Sequence, residues 1–134
     1  MSFEWIGFLK LAEGLYCTPD SPGPQEAAFR SAVSRAYYAA LHCAADFAYR
    51  EGFRPSEFKS IHEQTPTYFR DCKPQNKTRQ QIATQLNRLR GRRVKADYDD
   101  VLEKPATQAD AAIETAKSVL GNLESLAGPP SSNR

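Results

Sequence analysis

The sequence lacks the signatures of several large classes of protein. No apolar run approaches the roughly 18 residues that span a bilayer, so we expect no membrane segment. The opening stretch, MSFEWIGFLKLAEGL, contains two glutamates and no basic leader, which argues against a signal peptide and for a cytoplasmic protein. The three cysteines are odd in number and far apart, which disfavours a disulfide framework or a cysteine-type zinc site and favours buried or inert thiols.

The usual motifs of metal and nucleotide chemistry are also missing. The sequence has no glycine-rich phosphate loop, no histidine-glutamate-histidine zinc pattern and no serine elbow, and it contains only two histidines. We therefore expect no bound metal and no cofactor, and either metal-independent chemistry or none. The net charge of +2 is too small by itself to indicate a nucleic-acid partner, so the local clustering of charge has to decide.

What the sequence does contain is helical periodicity. A chain of 134 residues predicts one domain, over residues 1–127, followed by a polar tail at 128–134 that we expect to be disordered. Apolar residues recur at spacings of three and four in five segments, and no segment alternates with the period of two that a strand needs. The predicted fold is therefore all-α, an antiparallel bundle of about five helices.

Capping and breaker residues indicate where the helices begin and end. The predicted helices start near residues 2, 25, 56, 78 and 107, with Ser56, Thr78 and Thr107 as the start signals of the last three. Gly52 ends the second helix, and Pro66 splits or kinks the third. The predicted core consists of Phe3, Ile6, Leu9, Ala12, Tyr16, Phe29, Ala32, Val33, Ala36, Ala40, Cys43, Phe47, Phe58, Ile61, Pro66, Tyr68, Phe69, Ile82, Leu86, Leu89, Ala109, Ala112, Ile113, Ala116, Leu120 and Leu123.

The second predicted helix carries a polar stripe around the segment SRAYYAALHC. At about 100° per residue, one narrow band of this helix contains Ser31, Arg35, Tyr38, His42, Asp46 and Tyr49. The stripe is either a half-exposed structural face, on which Asp46 hydrogen-bonds His42, or a groove or dimer seam where Arg35 meets a phosphate and His42 moves a proton. Arg35 and His42 lie about 10 Å apart along the axis, which favours the structural interpretation.

A second cluster, RLRGRRVKADYDD at residues 88–100, is basic. Arg93 falls in register with the apolar stripe of the fourth helix and therefore needs a partner, either Asp97 inside the bundle or a phosphate in a cleft. Gly91 allows either a close approach to the backbone or a kink. The remaining basic residues form either a surface that binds RNA or DNA in a salt-sensitive way or a solvated helix face. They are Arg88, Arg90, Arg92 and Lys95.

Together, SRAYYAALHCA, His62, RRVKADYD and the alanine-rich last helix resemble the HEPN superfamily over about residues 25–125. The resemblance is to the branch related to the C-terminal domain of sacsin and often encoded beside minimal nucleotidyltransferases. It implies a small helical bundle that takes part in prokaryotic toxin–antitoxin or antiviral systems. Active members are metal-independent ribonucleases in which two protomers complete a shared cleft, and their signature is an arginine followed four to six residues later by a histidine.

The signature is incomplete in this chain, because Asp97 or Tyr98 stands where the histidine would follow Arg92 or Arg93. The resemblance implies a homodimer, which the alanines of the second helix suggest forms through the second and fourth helices, and an RNA-directed role, with or without cleavage. The alternative is an interaction module that binds a nucleotidyltransferase or another partner protein, with Tyr98 as the group acted upon. The candidate catalytic residues are Arg93, His62, His42, Arg35 and Tyr98. His62 either approaches Arg93 across the bundle or is a capping or packing residue at the start of its helix.

Overall fold

The computed structural model describes residues 3–17 and 25–128, and in this part of the chain it contains five helices and no strand. The helices are α1 (Ile6–Cys17), α2 (Gln25–Arg50), α3 (Ile61–Asp71), α4 (Lys77–Tyr98) and α5 (Pro105–Ala127). The all-α prediction is confirmed. The segment CTPDSPGPQ, whose three prolines and one glycine predict a loop, lies mostly outside the described residues, at 18–24, as does the predicted tail from residue 129 onward. None of the described helices combines the length and the hydropathy needed to cross a bilayer.

Helix α2 lies at the centre of the bundle and contacts each of the other four helices. All of its alanines except Ala27 are buried although they point in several directions around the helix, because neighbouring helices approach closely wherever the side chain is small. They are therefore not available to a second copy of the chain, and the reason given above for a dimer through this surface is wrong. The buried alanines of α2 are Ala28, Ala32, Ala36, Ala39, Ala40, Ala44, Ala45 and Ala48.

The turn after α2 explains how the chain reaches α3. The Gly52 amide donates to the Tyr49 carbonyl and the Phe53 amide to the Ala48 carbonyl, each at 3.0 Å, while Gly52 takes a φ of +104°. This is the Schellman arrangement, which favours glycine because other residues are strained at positive φ, and it confirms Gly52 as the end of the helix. Residues 51–60 then lead the chain back along α2, so that α3 begins beside Tyr37.

The predicted start of α3 is wrong by one turn. The helix begins after Ser60, whose hydroxyl accepts a hydrogen bond from the Glu63 amide at 3.3 Å, whereas Ser56 lies in the preceding turn. Phe58, predicted to be a core residue, is 89% exposed because it precedes the helix. Both serines are good caps, and the sequence does not say which is used. Helix α3 continues through the buried Pro66, so the predicted split does not occur.

In contrast to α3, which starts later than predicted, α4 and α5 start earlier. Asn76, among the most favoured N-cap residues, accepts a hydrogen bond from the Arg79 amide at 2.8 Å and replaces Thr78 as the cap. Helix α5 begins at Pro105 rather than at Thr107. Proline fits this first position because its missing N–H would have no partner within the helix.

The predicted core is confirmed over α2, α4 and α5 and at Leu9 and Ala12 of α1, but it is wrong at Phe3 and Ile6. Ile82, Leu86 and Leu89 are fully buried, as the spacing of α4 predicts. In contrast, Phe3 is 56% exposed and Ile6 is 44% exposed. Two aromatic side chains of this N-terminal segment, Trp5 and Phe8, instead contact polar residues of α2.

Candidate functional site

Four of the five candidate catalytic residues surround one side chain, Tyr38. The guanidinium carbons of Arg35 and Arg93 lie 5.8 and 5.3 Å from the centre of the Tyr38 ring. The ring centres of His42 and His62 lie 6.1 and 6.0 Å from it. We call these five residues the Tyr38 cluster. Residues that are distant in sequence therefore form one polar surface, to which α2, α3 and α4 all contribute.

Local structure fixes each member of the cluster. The spacing of three and four residues between Arg35, Tyr38 and His42 places them on one side of α2, as the sequence predicts. His62 is the second residue of α3, where the Ser60 cap sets the direction of the chain. Arg93 extends the buried stripe of α4 towards α2.

The imidazole of His62 is oriented by Tyr37, which is only 1% exposed. The Tyr37 hydroxyl and His62 Nδ1 lie 2.5 Å apart, and the two rings stack with an interplanar angle of 15°. Burial raises the pKa of Tyr37 to about 12, so the hydroxyl keeps its proton at neutral pH. If Nδ1–H donates to the hydroxyl oxygen, Nε2 of His62 has a free lone pair with which to accept a proton. The sequence analysis did not single out Tyr37 for this role.

The surroundings of His62 disfavour a positive charge on its ring. Burial lowers the pKa of His62, and the charges of Arg90 and Arg93 lower it further, followed by that of His42. His62 is therefore neutral at pH 7 and stands in a positive potential. An anion placed there would be attracted by both arginines and would raise the pKa of His62.

The predicted pairing of Arg93 with Asp97 is present. Arg93 Nε lies 2.8 Å from an Asp97 carboxylate oxygen, with 18% and 27% of the two side chains exposed. The Nε–H bond does not point at this oxygen, so the contact is an ion pair rather than a directed hydrogen bond. The Arg93 guanidinium also lies 5.7 Å from the ring centre of Tyr98, which connects the fifth candidate residue to the cluster.

Aromatic residues of the N-terminal segment cover the other half of the cluster. The Trp5 ring stacks on His42 at 3.6 Å between centres and an angle of 11°, and the Arg35 guanidinium lies 4.8 Å from the Phe8 ring centre. Burial lowers the pKa of His42, against an opposing effect of Asp46. The hydrogen bonds of the described residues do not include the expected one between His42 and Asp46. In the sequence, the three aromatic residues among positions 3–8 are the only indication that this segment contacts His42 and Arg35.

The remaining basic residues of α4 point in different directions. Arg92 donates a hydrogen bond of 2.6 Å to the Gln108 side chain and so faces α5. Arg88, Arg90 and Lys95 are exposed, and only Arg90 is close enough to His62 to lower its pKa. The four residues predicted to bind RNA therefore do not form a single patch.

The cysteines and the larger grooves lie elsewhere. Burial raises the pKa of Cys43 to about 11, as expected of an inert thiol, and Cys72 is half-buried, but Cys17 is exposed. Within the described residues, no group of three or more histidine, cysteine or acidic side chains is arranged to hold a metal. One groove of about 640 Å³, lined by Phe53, Tyr68 and other residues, lies near the far end of α3. The Tyr38 cluster is the candidate site because of its chemistry and not because of an enclosed volume.

Comparison with known proteins gives one match. A family model described as the HEPN domain matches residues 25–126, which is more than half of the chain and includes every member of the Tyr38 cluster. The comparisons with curated proteins and with solved structures found no match.

Proposed function

This chain belongs to the HEPN family, and from that premise we propose that it is an RNA-directed, cytoplasmic component of a prokaryotic toxin–antitoxin or antiviral defence system. The observation that carries the proposal is the convergence of two arginines and two histidines on Tyr38. Such a surface suits a phosphodiester, because guanidinium groups bind phosphate oxygens and an imidazole exchanges protons near neutral pH.

The open half of the cluster is the proposed phosphate site. Asp97 lies against one edge of the Arg93 guanidinium, which leaves the other nitrogen atoms as donors. Arg90 adds a second positive charge near His62. The negative charge of a phosphate between these side chains would offset the positive charges that lower the pKa of His62. A bound phosphate would therefore make the neutral imidazole of His62 a stronger base.

The proposed reaction is metal-independent cleavage of RNA, which the family resemblance implies for active members. In this scheme, His62 takes the proton of a ribose 2′-hydroxyl, and the oxygen attacks the adjacent phosphorus. The bond from phosphorus to the 5′-oxygen breaks, and the leaving oxygen takes a proton from solvent. Arg93 stabilises the negative charge that develops on the phosphorane. Asp97 or Tyr98 stands where the family signature has its histidine, and in this scheme neither transfers the proton.

We also propose that the protein acts as a homodimer with a cleft shared between two copies. The alanines of α2 do not serve this contact, because they are buried in the bundle. Exposed apolar side chains near the end of α4 support another contact: Val94, Tyr98 and Val101 are 40%, 70% and 79% exposed. We expect light scattering at tens of micromolar to give the mass of a dimer, and a monomer would contradict the shared cleft.

Two variants test the site. We expect Arg93→Met to weaken RNA binding and to reduce the slope of log affinity against log salt by about 0.7 for each lost phosphate contact. We expect His62→Gln to lower the cleavage rate about a hundredfold to ten-thousandfold, in the presence of a chelator. Arg70→Met is the matched control, because this exposed arginine pairs with Asp71 at the opposite end of α3. Equal effects of Arg93→Met and Arg70→Met on binding would contradict the assignment.

One observation favours a second candidate function, that of an interaction module for a nucleotidyltransferase. Tyr98 is 70% exposed, and its hydroxyl is therefore accessible to a nucleotidyl donor and an enzyme. In this alternative, a wild-type protein that neither binds nor cuts RNA would gain a nucleotide mass when incubated with the partner enzyme and a nucleoside triphosphate. Tyr98→Phe would abolish the mass shift, whereas Tyr49→Phe, on α2, would not.

A further inference from the structure

The outer face of α4 contains a notch that the Tyr38 cluster does not use. At 100° per residue, Gly91 lies on the side of α4 opposite its buried stripe of Ile82, Leu86 and Leu89. Arg88 precedes Gly91 by about one turn on the same face, and Lys95 follows it by about one turn. All three residues are exposed. The notch is therefore a gap between two basic side chains, with bare helix backbone at its base.

Nothing in residues 3–17 and 25–128 explains the glycine at that position. A Cβ atom built on Gly91 would meet no atom within 4 Å, so no neighbouring helix requires its small size. Its φ angle is not positive, so the backbone does not require glycine either. Among residues other than proline, glycine is the least favourable in the interior of a helix. Gly121 of α5 is equally open. The lysine one turn before it, Lys117, is paired with Glu13 and Glu114, so Gly121 serves as a control.

We infer that a single sugar–phosphate backbone of RNA crosses α4 at this notch, with its phosphates between Arg88 and Lys95. This inference rests on the proposed function, since it assigns a second contact surface to the same RNA. The two basic residues are about 10 Å apart along the helix axis, which leaves room for one strand between them. The bare backbone of Gly91 lets the strand approach α4 more closely than any side chain would allow.

Charge favours RNA over a second copy of α4 as the occupant. Two α4 helices crossing at Gly91 would bring their Arg88 and Lys95 side chains together, and like charges at such a contact repel. A phosphate backbone is complementary to the same side chains. Arg90 lies beside the notch and also acts on His62, so it connects the crossing strand to the Tyr38 cluster.

The test compares substitutions at two open glycines. Gly91→Ala and Gly121→Ala should both raise the melting temperature by a few degrees, because each replaces glycine inside a helix where space is free. Gly91→Leu should weaken the binding of single-stranded RNA about tenfold, and Gly91→Ala should weaken it by a smaller factor. Gly121→Ala and Gly121→Leu should leave the affinity unchanged. None of these substitutions changes the net charge of the protein. A change in affinity would therefore reflect how closely the RNA strand approaches α4, and not a general electrostatic effect.

Three outcomes would contradict the proposed RNA contact at the notch. RNA binding that is lost in Arg93→Met but unchanged in Gly91→Leu would leave the proposed function in place and remove this second surface. A change of mass in light scattering for Gly91→Leu, with unchanged RNA affinity, would assign the notch to a second copy of the chain. A wild-type protein that binds no RNA would overturn the notch and the proposed function together.

Discussion

Replacing the carboxylate beside Arg93 is the most informative single perturbation of the candidate site. Asp97→Asn removes a negative charge from the Arg93 ion pair and keeps the size of the side chain. We expect opposite effects on stability and on RNA affinity. The stability of the protein should fall, whereas its affinity for RNA should rise.

The loss of stability follows from the geometry of the pair. The residues are four apart on α4, and 18% and 27% of their side chains are exposed, so the pair resembles a helix surface pair more than a buried one. Such pairs contribute about 0.3–0.5 kcal/mol. Arg93 keeps its contacts with the rings of Tyr38 and Tyr98. We therefore expect a loss below about 1 kcal/mol in urea unfolding.

The gain in affinity follows from Coulomb's law. A phosphate on the free edge of the Arg93 guanidinium would lie roughly 7 Å from the Asp97 carboxylate, where two negative charges repel by about 0.6 kcal/mol in water. Removing this repulsion strengthens binding about threefold at low salt. The gain should shrink as salt is added, because the groups are partly exposed.

Fluorescence anisotropy with a labelled single-stranded RNA measures the change, and Asp71→Asn is its control. Asp71 also pairs with an arginine and its substitution changes the net charge equally, but it lies at the far end of α3. Equal gains in RNA affinity in both variants would mean that the effect comes from the net charge of the protein alone. A weaker affinity in Asp97→Asn would mean that Asp97 positions Arg93 and that the repulsion is negligible, which would refute the reasoning.

Three further measurements address the surroundings of the cluster. Tyr37→Phe should lower the free energy of unfolding by about 1 kcal/mol, because it removes a buried hydrogen bond to His62. Lowering the pH through 6.5 should destabilise the protein, because both histidines have lowered pKa values in the folded state and the unfolded state then binds more protons; the slope is at most about 1.4 kcal/mol per pH unit for each histidine. Leu86→Ala should cost about 2.5–5 kcal/mol in urea unfolding, whereas Leu11→Ala, at a side chain 49% exposed, should cost far less.

Each of these expectations has a clear contrary result. An unchanged stability in Tyr37→Phe would mean that water replaces the hydroxyl as the partner of His62. The histidines would not be the cause of the pH dependence if the stability does not fall between pH 7.5 and 5. The same conclusion would follow if it falls equally in the variant with His42 and His62 both replaced by glutamine. Equal costs at Leu86 and Leu11 would contradict the core described here.

The sequence predicts well those features that depend on one helix at a time. The stripe of Ile82, Leu86 and Leu89 follows from the period of the helix, and the end of α2 at Gly52 follows from the backbone freedom of glycine. Helix starts are harder to predict. Ser56 competes with Ser60, and the choice between two good caps depends on where the rest of the chain holds the segment.

The candidate site was predicted in composition but not in arrangement. The spacing along α2 groups Arg35 and His42 with Tyr38. It does not bring His62 and Arg93 to the same ring, because three helices must first pack together. The contact of Trp5 with His42 was missed for the same reason. An aromatic residue just before a short helix, such as Trp5, is equally compatible with a buried apolar contact and with a polar neighbour on another helix.

The packing of the N-terminal segment also decides between the two arginine–histidine pairs. Trp5 lies flat on His42, and Phe8 lies against Arg35, so this pair is covered by aromatic rings from within the chain. Covered groups reach a polymeric substrate only if the rings move away. Arg93 and His62 face no ring of α1 among the aromatic contacts of the described residues. The covering residues also lie outside the part of the chain that the HEPN model matches, which begins at residue 25. The SRAYYAALHC helix therefore supplies Tyr38 as the centre of the site, and the reacting pair we propose comes from the two helices that follow it.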